Sequence, residues 1–196
     1  RGSCVAFAFC ALLEWCTGEA DLSEEMLYQM IAEPGGGSHP RNACKALQKV
    51  GTCREKWWKY NQLGKDPIST SYIINWPKNR RALGDAMKFR IVRYYRIEPE
   101  NIMQALLSGP VALGLNWRKS WFNKIRLNTE SWGDTIVGKH MGLLSASQKI
   151  SNHSIPIFRN SWGLGWGDKG YGEISEGEIR KNFITAYTIR LAKHLT

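Results

Sequence analysis

The sequence predicts an α+β fold, helical in its first half and strand-rich in its second, with a seam near residues 95–110. Three observations carry this. The run from Cys4 to Trp15 is rich in Ala, Leu and Phe and contains neither Gly nor Pro. Beyond residue 110 come short β-branched and aromatic runs separated by Gly and Ser turns. With 196 residues, 43% of them hydrophobic, the chain can bury a core as one large domain or two small lobes.

Taken in order, Cys4–Trp15 reads as a mostly buried helix, because its apolar residues leave no clean polar face. Ser23 is an N-cap for a helix over Glu24–Met30, whose two leading acids suit the positive end of the helix dipole. Glu33-Pro34-Gly35-Gly36-Gly37-Ser38 breaks that helix as a loop. A third helix runs from Pro40 to Val50 and stops at Gly51. Residues 65–79, with Asp66-Pro67 and Trp76-Pro77, read as turns, and Phe89–Tyr95 as a strand. Pro99-Glu100 opens a short helix over Asn101–Leu107 that ends at Ser108-Gly109-Pro110. Strands are expected over Val111–Asn116, His140–Ser147, Ile155–Phe158, Tyr171–Ile174 and Ala186–Leu191.

Net charge is +10. The basic residues are scattered, and the densest run, Lys78-Asn79-Arg80-Arg81, is short, so a solvated basic surface is expected rather than a specific nucleic-acid site. No apolar run reaches the roughly 18–20 residues of a membrane span, and the start carries no signal-peptide pattern, so a soluble chain is expected. The five cysteines, Cys4, Cys10, Cys16, Cys44 and Cys53, are an odd set, so at least one stands outside any internal bridge. If that one is Cys4, the others suit either two disulfides or four buried thiols. They contain no CxxC, which argues against a zinc ribbon, and no metal or cofactor site is expected.

The chemistry begins at Cys4. A thiol attacks a carbonyl well only as thiolate, and a helix N-terminus and a neighbouring imidazolium both favour that form. Cys4 opens the first helix, just after Gly2-Ser3. The imidazole must come from His39, His140, His153 or His194. His140 leads an apolar strand, His140-Met141-Gly142-Leu143-Leu144, after a turn-like Val137-Gly138-Lys139. A base also needs an orienter for its far ring nitrogen. Asn160, placed just after a strand and before Ser161-Trp162-Gly163, can supply one, with the Trp162 ring covering the bond from water.

Singly, each residue has an ordinary structural explanation: a small core cysteine, a satisfied histidine, a turn asparagine. Their order outweighs these. The block Gly2-Ser3-Cys4-Val5-Ala6-Phe7, then His140 before an apolar strand, then Asn160-Ser161-Trp162-Gly163-Leu164-Gly165-Trp166-Gly167 resembles the papain/cathepsin family of cysteine proteases. Leu22-Ser23-Glu24-Glu25 resembles that family's second-helix entry, and Gly109-Pro110-Val111 the opening of its sheet lobe.

The resemblance implies a two-lobed papain-like fold in a single peptidase domain over 1–196, with a helical lobe over about 1–97, a β-barrel-like lobe over about 98–196 and a cleft between them. It implies Cys4 as nucleophile, His140 as base and Asn160 as orienter, acting through a thioester acyl-enzyme to cleave peptides. Gly36 and Gly37 would bond an extended peptide backbone, as in strand addition. Trp166 resembles the tryptophan on the leaving-group side, and Trp162, Lys139, Met141 and Gly114 are further expected walls. The implied partners are a peptide or protein substrate and a propeptide or protein inhibitor, and the implied location is secreted or vesicular and lysosome-like.

There are departures. The family's oxyanion glutamine would fall ahead of Arg1, so the segment bearing it is expected to be absent from this chain, leaving the Cys4 N–H as the visible donor. Val5 replaces the usual aromatic after the nucleophile, and the family's cysteine positions match poorly. The alternative to a peptidase is therefore a catalytically impaired relative that binds peptides or a partner.

Overall fold

The computed structural model describes residues 2–19, 21–61, 80–128, 133–145, 149–150 and 153–191. The chain divides into two compact units, one of residues 1–94 with 189–196 and the other of residues 95–188. The division falls between Tyr94 and Tyr95, slightly before the expected seam, and the end of the last strand belongs to the first unit. The expected turns over 65–79, the last two residues of the expected strand His140–Ser147, and His194 lie outside the described residues.

The first unit is built on three helices that pack on one another: α1 (Cys4–Thr17), α2 (Glu24–Ile31) and α3 (Pro40–Lys49). α1 is apolar nearly all round, and Phe9, Leu12 and Leu13 on it are fully buried. Each such side chain contributes roughly 1.5–3 kcal/mol of burial. α1 ends on Gly18, whose left-handed φ of 69° lets its N–H donate to the Glu14 carbonyl. Ser23 caps α2 as the sequence requires: its hydroxyl oxygen accepts from the Met26 N–H at 3.0 Å and its hydroxyl donates to the Trp58 carbonyl. α4 (Arg80–Ala86) was not foreseen. It is tied down by Asp85, whose buried carboxylate accepts from the Arg54 guanidinium at 2.8 Å and from the Arg54 backbone N–H at 3.0 Å. Arg80 and Arg81 are exposed, as a solvated basic surface demands.

The second unit centres on a sheet whose order is β1-β9-β2-β4-β7-β8-β3. Its strands are β1 (Ile91–Ile97), which begins in the first unit, β2 (Val111–Arg118), β3 (Arg126–Leu127), β4 (Ile136–Ser145), β7 (Ile157–Arg159), β8 (Tyr171–Ile174) and β9 (Phe183–Leu191). β5 (Lys149–Ile150) and β6 (His153–Ser154) form a separate two-stranded hairpin. Most pairs are antiparallel, and β3 joins β8 in parallel. Two short helices, α5 (Ile102–Leu106) and α6 (Glu176–Asn182), flank the sheet, α6 capped by Ser175. Leu113, Leu115, Trp117, Trp121, Leu144, Phe158, Trp166 and Ile179 fill the core between them.

Three expectations need correction. Phe89 and Arg90 precede β1, because residues 87–89 turn as a 3-10 helix that buries Phe89. β2 continues through Trp117 and Arg118. β4 begins at Ile136, so Val137-Gly138-Lys139 is strand, not turn: Trp117 faces Gly138 and Asn116 faces Lys139 across the ladder. His140 therefore sits within a strand, where exposed residues give way to buried ones. No helix among the described residues is long and apolar enough to cross a membrane.

Gly51 closes α3 with φ at +85°, and a Cβ there would stand 2.0 Å from the Ala86 carbonyl oxygen of α4. Gly51→Ala is expected to cost about 1–3 kcal/mol, from left-handed strain plus the backbone clash, read as a lowered urea midpoint.

Candidate active site

Cys4 is the first residue of α1 and belongs to the first unit. Ser3 stands at the N-cap but its side chain does not cap the helix; its hydroxyl bonds the Tyr60 hydroxyl at 2.8 Å instead. The positive end of the helix is thus not spent on a side-chain cap at the point where the half-buried Cys4 sits. Phe7, one turn on, packs edge-on against the Tyr60 ring at 4.9 Å, so one tyrosine fixes both the approach to the helix and its first turn.

The remaining cysteines are chemically different. Burial pushes the thiols of Cys44 and Cys53 up to about 12 and that of Cys16 to about 11, and raises Cys10 well above the usual range, with Glu24 adding to it. All four stay protonated near neutrality and are poor nucleophiles. None of the five cysteines forms a disulfide, so of the two arrangements open from the sequence the structure holds thiols.

Gly36 and Gly37 lie in the same unit as Cys4. Their loop is a tight turn in which the Gly36 N–H donates to the Glu33 carbonyl and the Glu33 N–H donates to that of Gly37. A Cβ on Gly2 would fall 2.4 Å from the Gly37 nitrogen, so the absence of a side chain at Gly2 is what lets the glycine loop lie against the segment leading into Cys4.

His140 and Asn160 belong to the second unit. Asn160 follows β7, and its backbone N–H donates to the Gly170 carbonyl at 2.9 Å. Its Oδ1 accepts from the Ser161 N–H at 2.7 Å and stands 2.7 Å from His140 Nε2. The Ser161 bond identifies which amide atom is the oxygen, and that oxygen in turn fixes the tautomer: Nε2 carries the proton and donates it, leaving Nδ1 as the basic nitrogen. Asn160 Nδ2 is buried with no hydrogen-bond partner among the described residues, at a cost of about 1–3 kcal/mol.

His140 and Asn160 are each only 8% exposed. Burial lowers the His140 pKa from its ordinary 6.5 to about 4, opposed by the Asn160 bond. Aromatic rings make the enclosure. Trp162 lies 4.9 Å from the His140 ring and Trp117 lies 4.7 Å from it, with Phe158 farther off at 6.4 Å. Phe122 stacks on Trp162 at 5.1 Å, nearly parallel.

The expected binding residues separate on exposure. Trp162 is 40% exposed and Lys139 is exposed, so both offer surface. Trp166, expected on the leaving-group side, is 4% exposed; its indole N–H donates to the Trp121 carbonyl at 3.1 Å, which is a core position. Met141 is likewise buried, opposite Gly114 in the β2–β4 ladder, so these two belong to the sheet interior. Trp117, Phe122 and Tyr60 were not singled out from the sequence. For Trp117 a signal existed: continuing the alternation of Leu113 and Leu115 puts it on their face.

Comparison with known proteins follows this geometry. The family model for papain family cysteine proteases matches residues 2–189. A cysteine protease of Blomia tropicalis is 24% identical over 213 residues, covering 96% of this chain and 60% of that protein. The chain thus spans about three-fifths of the length of this curated relative. Xylellain, a cysteine protease from Xylella fastidiosa, superposes with a TM-score of 0.78 at 23% identity, covering 98% of this chain and 80% of the other. The Carica candamarcensis cysteine protease CMS1MS2, solved in complex with E-64, gives 0.71 at 16% identity, covering 98% and 90%. At such identities the structural likeness shows the fold, and that fold is papain-like and α+β.

The Gly2 contact yields a test. Gly2→Ala is expected to push the Gly37 backbone away, costing about 1–3 kcal/mol of stability. The amide resonances of Gly36 and Gly37 should move while those in the middle of α2 and α3 stay in place.

Proposed function

The chain belongs to the papain family of cysteine proteases, and on that premise we propose that it hydrolyses peptide bonds with Cys4 as nucleophile and His140 as acid and base. The observation that carries this reading is the 2.7 Å contact between His140 Nε2 and Asn160 Oδ1, which dedicates Nδ1 to proton transfer.

In this mechanism the thiol proton of Cys4 passes to His140 Nδ1. The thiolate sulfur attacks the substrate carbonyl carbon, and the negative charge moves onto the carbonyl oxygen beside the N-terminus of α1. The imidazolium then protonates the leaving nitrogen as the C–N bond breaks, giving a thioester and a free amine. Water adds to the thioester carbonyl while Nδ1 takes its proton. Collapse releases the carboxylic acid and returns the proton to sulfur. Gly36 and Gly37 line the substrate backbone, and Trp162 faces the leaving group. The partners are extended peptides and inhibitors that mimic them; the complex of the Carica relative with E-64 supports that class.

The His140 environment sets how this pair titrates. Burial, opposed by the Asn160 bond, favours the neutral ring down to about 4. In the proposed mechanism a Cys4 thiolate opposes that burial and holds the proton on the ring.

Cys4→Ala is expected to lower turnover of a peptide substrate at least about 10,000-fold with the fold intact, and His140→Ala nearly as much. Asn160→Ala should be milder, about tenfold to a hundredfold, because it loosens the tautomer without removing a reacting group. E-64, a thiol-directed epoxide, should label Cys4 and no other cysteine by mass spectrometry. A protein that is neither labelled nor able to cleave peptides, yet binds them, would be the impaired binding module instead.

The titration gives a second check. In Cys4→Ala no thiolate can share the proton, so His140 should titrate by NMR near 4. The unfolded chain takes that proton near 6.5 while the folded state refuses it until about 4. This contribution to stability is therefore complete above 6.5, declines as pH falls towards 4, and levels off below. In the parent, the His140 midpoint should lie higher than in the variant; identical midpoints would mean that no ion pair forms.

A further inference from the structure

We propose that Trp117 is a positioning residue for this reaction: a strand-borne ring that, together with Trp162, locks the His140 imidazole in the orientation that keeps Nε2 on Asn160. The inference rests on the proposed role of His140 as the base.

The register places it. In the β2–β4 ladder Leu115 faces His140 and Trp117 faces Gly138, so Trp117 lies on the same face as Leu115 and diagonally across from His140. An indole reaches across such a diagonal, and the Trp117 ring meets the imidazole at 4.7 Å with 67° between planes. Trp162 meets the same imidazole at 4.9 Å, and the two indoles meet each other at 5.2 Å. The three centroids thus form a nearly equilateral triangle. The imidazole is packed by an indole on each of two sides.

The two indoles are not equivalent. Trp162 is carried on the loop after Asn160 and is 40% exposed. Trp117 is carried on the central strand β2, is 2% exposed, and is backed by Trp121 at 5.3 Å, Phe158 at 5.8 Å and Trp166 at 6.0 Å. It transmits the rigidity of the sheet to the loop ring and to the imidazole. Its Nε1 is buried and finds no hydrogen-bond partner among the described residues. A side chain that merely filled the space would not bear that desolvation cost. What the indole supplies is a flat wall wide enough to touch all these rings at once.

The lock has chemical work to do. The ring torsion of a histidine is broad, and a half-turn exchanges Nδ1 with Cδ2 and Nε2 with Cε1. After such a turn Asn160 would face Cε1 instead of Nε2, nothing would fix the tautomer, and the base would be misplaced. A single hydrogen bond resists that turn only modestly. Packing on two sides makes the turn require a displaced core.

The test compares Trp117→Phe, which keeps a ring, with Trp117→Leu, which keeps apolar bulk without one. Trp117→Met, whose side chain fills irregular space, stands by should the Leu variant fail to fold. Nitrogen-15 NMR of histidine-labelled protein reads the His140 tautomer, the signal being assigned by its loss in His140→Gln. The NMR is read in the Cys4→Ala background near neutral pH, where no thiolate holds a second proton on the ring, and the kinetics with Cys4 in place. Cys4→Ala with Trp117 or with Trp117→Phe should show one tautomer, protonated at Nε2. In the Leu or Met variant the two ring-nitrogen shifts should converge, and kcat on a peptide should fall about tenfold to a hundredfold with KM within about twofold. Retention of one tautomer with parental kcat in a folded non-aromatic variant would overturn the proposal, as would a Phe variant as damaged as the Leu variant. The NMR readout needs no turnover. Converging shifts in a protein that cleaves nothing would support the lock while refuting the peptidase reading, so the two failures stay distinct.

Discussion

The arrangement depends on one carboxamide oxygen. Asn160 Oδ1 takes hydrogen bonds from the Ser161 backbone and from His140 Nε2, and so converts a backbone constraint into a choice of tautomer. Around it gather the rings of Trp117, Trp162 and Phe158. The price is visible in two buried donors, Asn160 Nδ2 and Trp117 Nε1, that find no hydrogen-bond partner among the described residues. Unpaired donors of this kind are costly and commonly mark places where a fold serves something other than its own stability.

The helical unit prepares its contribution differently. Cys4 is distinguished from the other cysteines by position, not by residue type. It opens a helix, whereas Cys10, Cys44 and Cys53 are packed in apolar surroundings that suppress ionisation. Tyr60 shows how economically the entry is held: its hydroxyl bonds Ser3 and its ring packs on Phe7, on either side of the thiol in sequence.

Much of this was legible in the sequence, for physical reasons that can be named. The cap of α2 and the stop after α3 could be read because Ser23 and Gly51 each perform a local task that neighbouring residues cannot. The pairing of His140 with Asn160 could be anticipated from a motif, since His140 lies in β4 and Asn160 directly follows β7, its neighbour in the same sheet. Less legible was whatever depends on partners distant in sequence. Val137-Gly138-Lys139 looked like a turn because its exposed face hides the ladder it makes with β2. α4 has weak local signals and is fixed by the Arg54–Asp85 contact across 31 residues. Trp166 read as a cleft residue until its indole proved to be bonded into the core, while Trp117 carried no motif at all. Composition announces nine tryptophans. It does not say which of them turn inward.

The state of the sulfurs has a consequence for the milieu in which this scaffold can persist. No covalent cross-link joins one part of the chain to another, so the framework owes nothing to an oxidising environment. A sulfur nucleophile, for its part, is lost once it is oxidised or capped. Many small cross-linked domains face a conflict here, because the reductant that rescues a reactive thiol also cuts their staples. This chain is exempt from it: with no staple to cut, glutathione-like conditions would regenerate the proposed nucleophile and leave the architecture untouched.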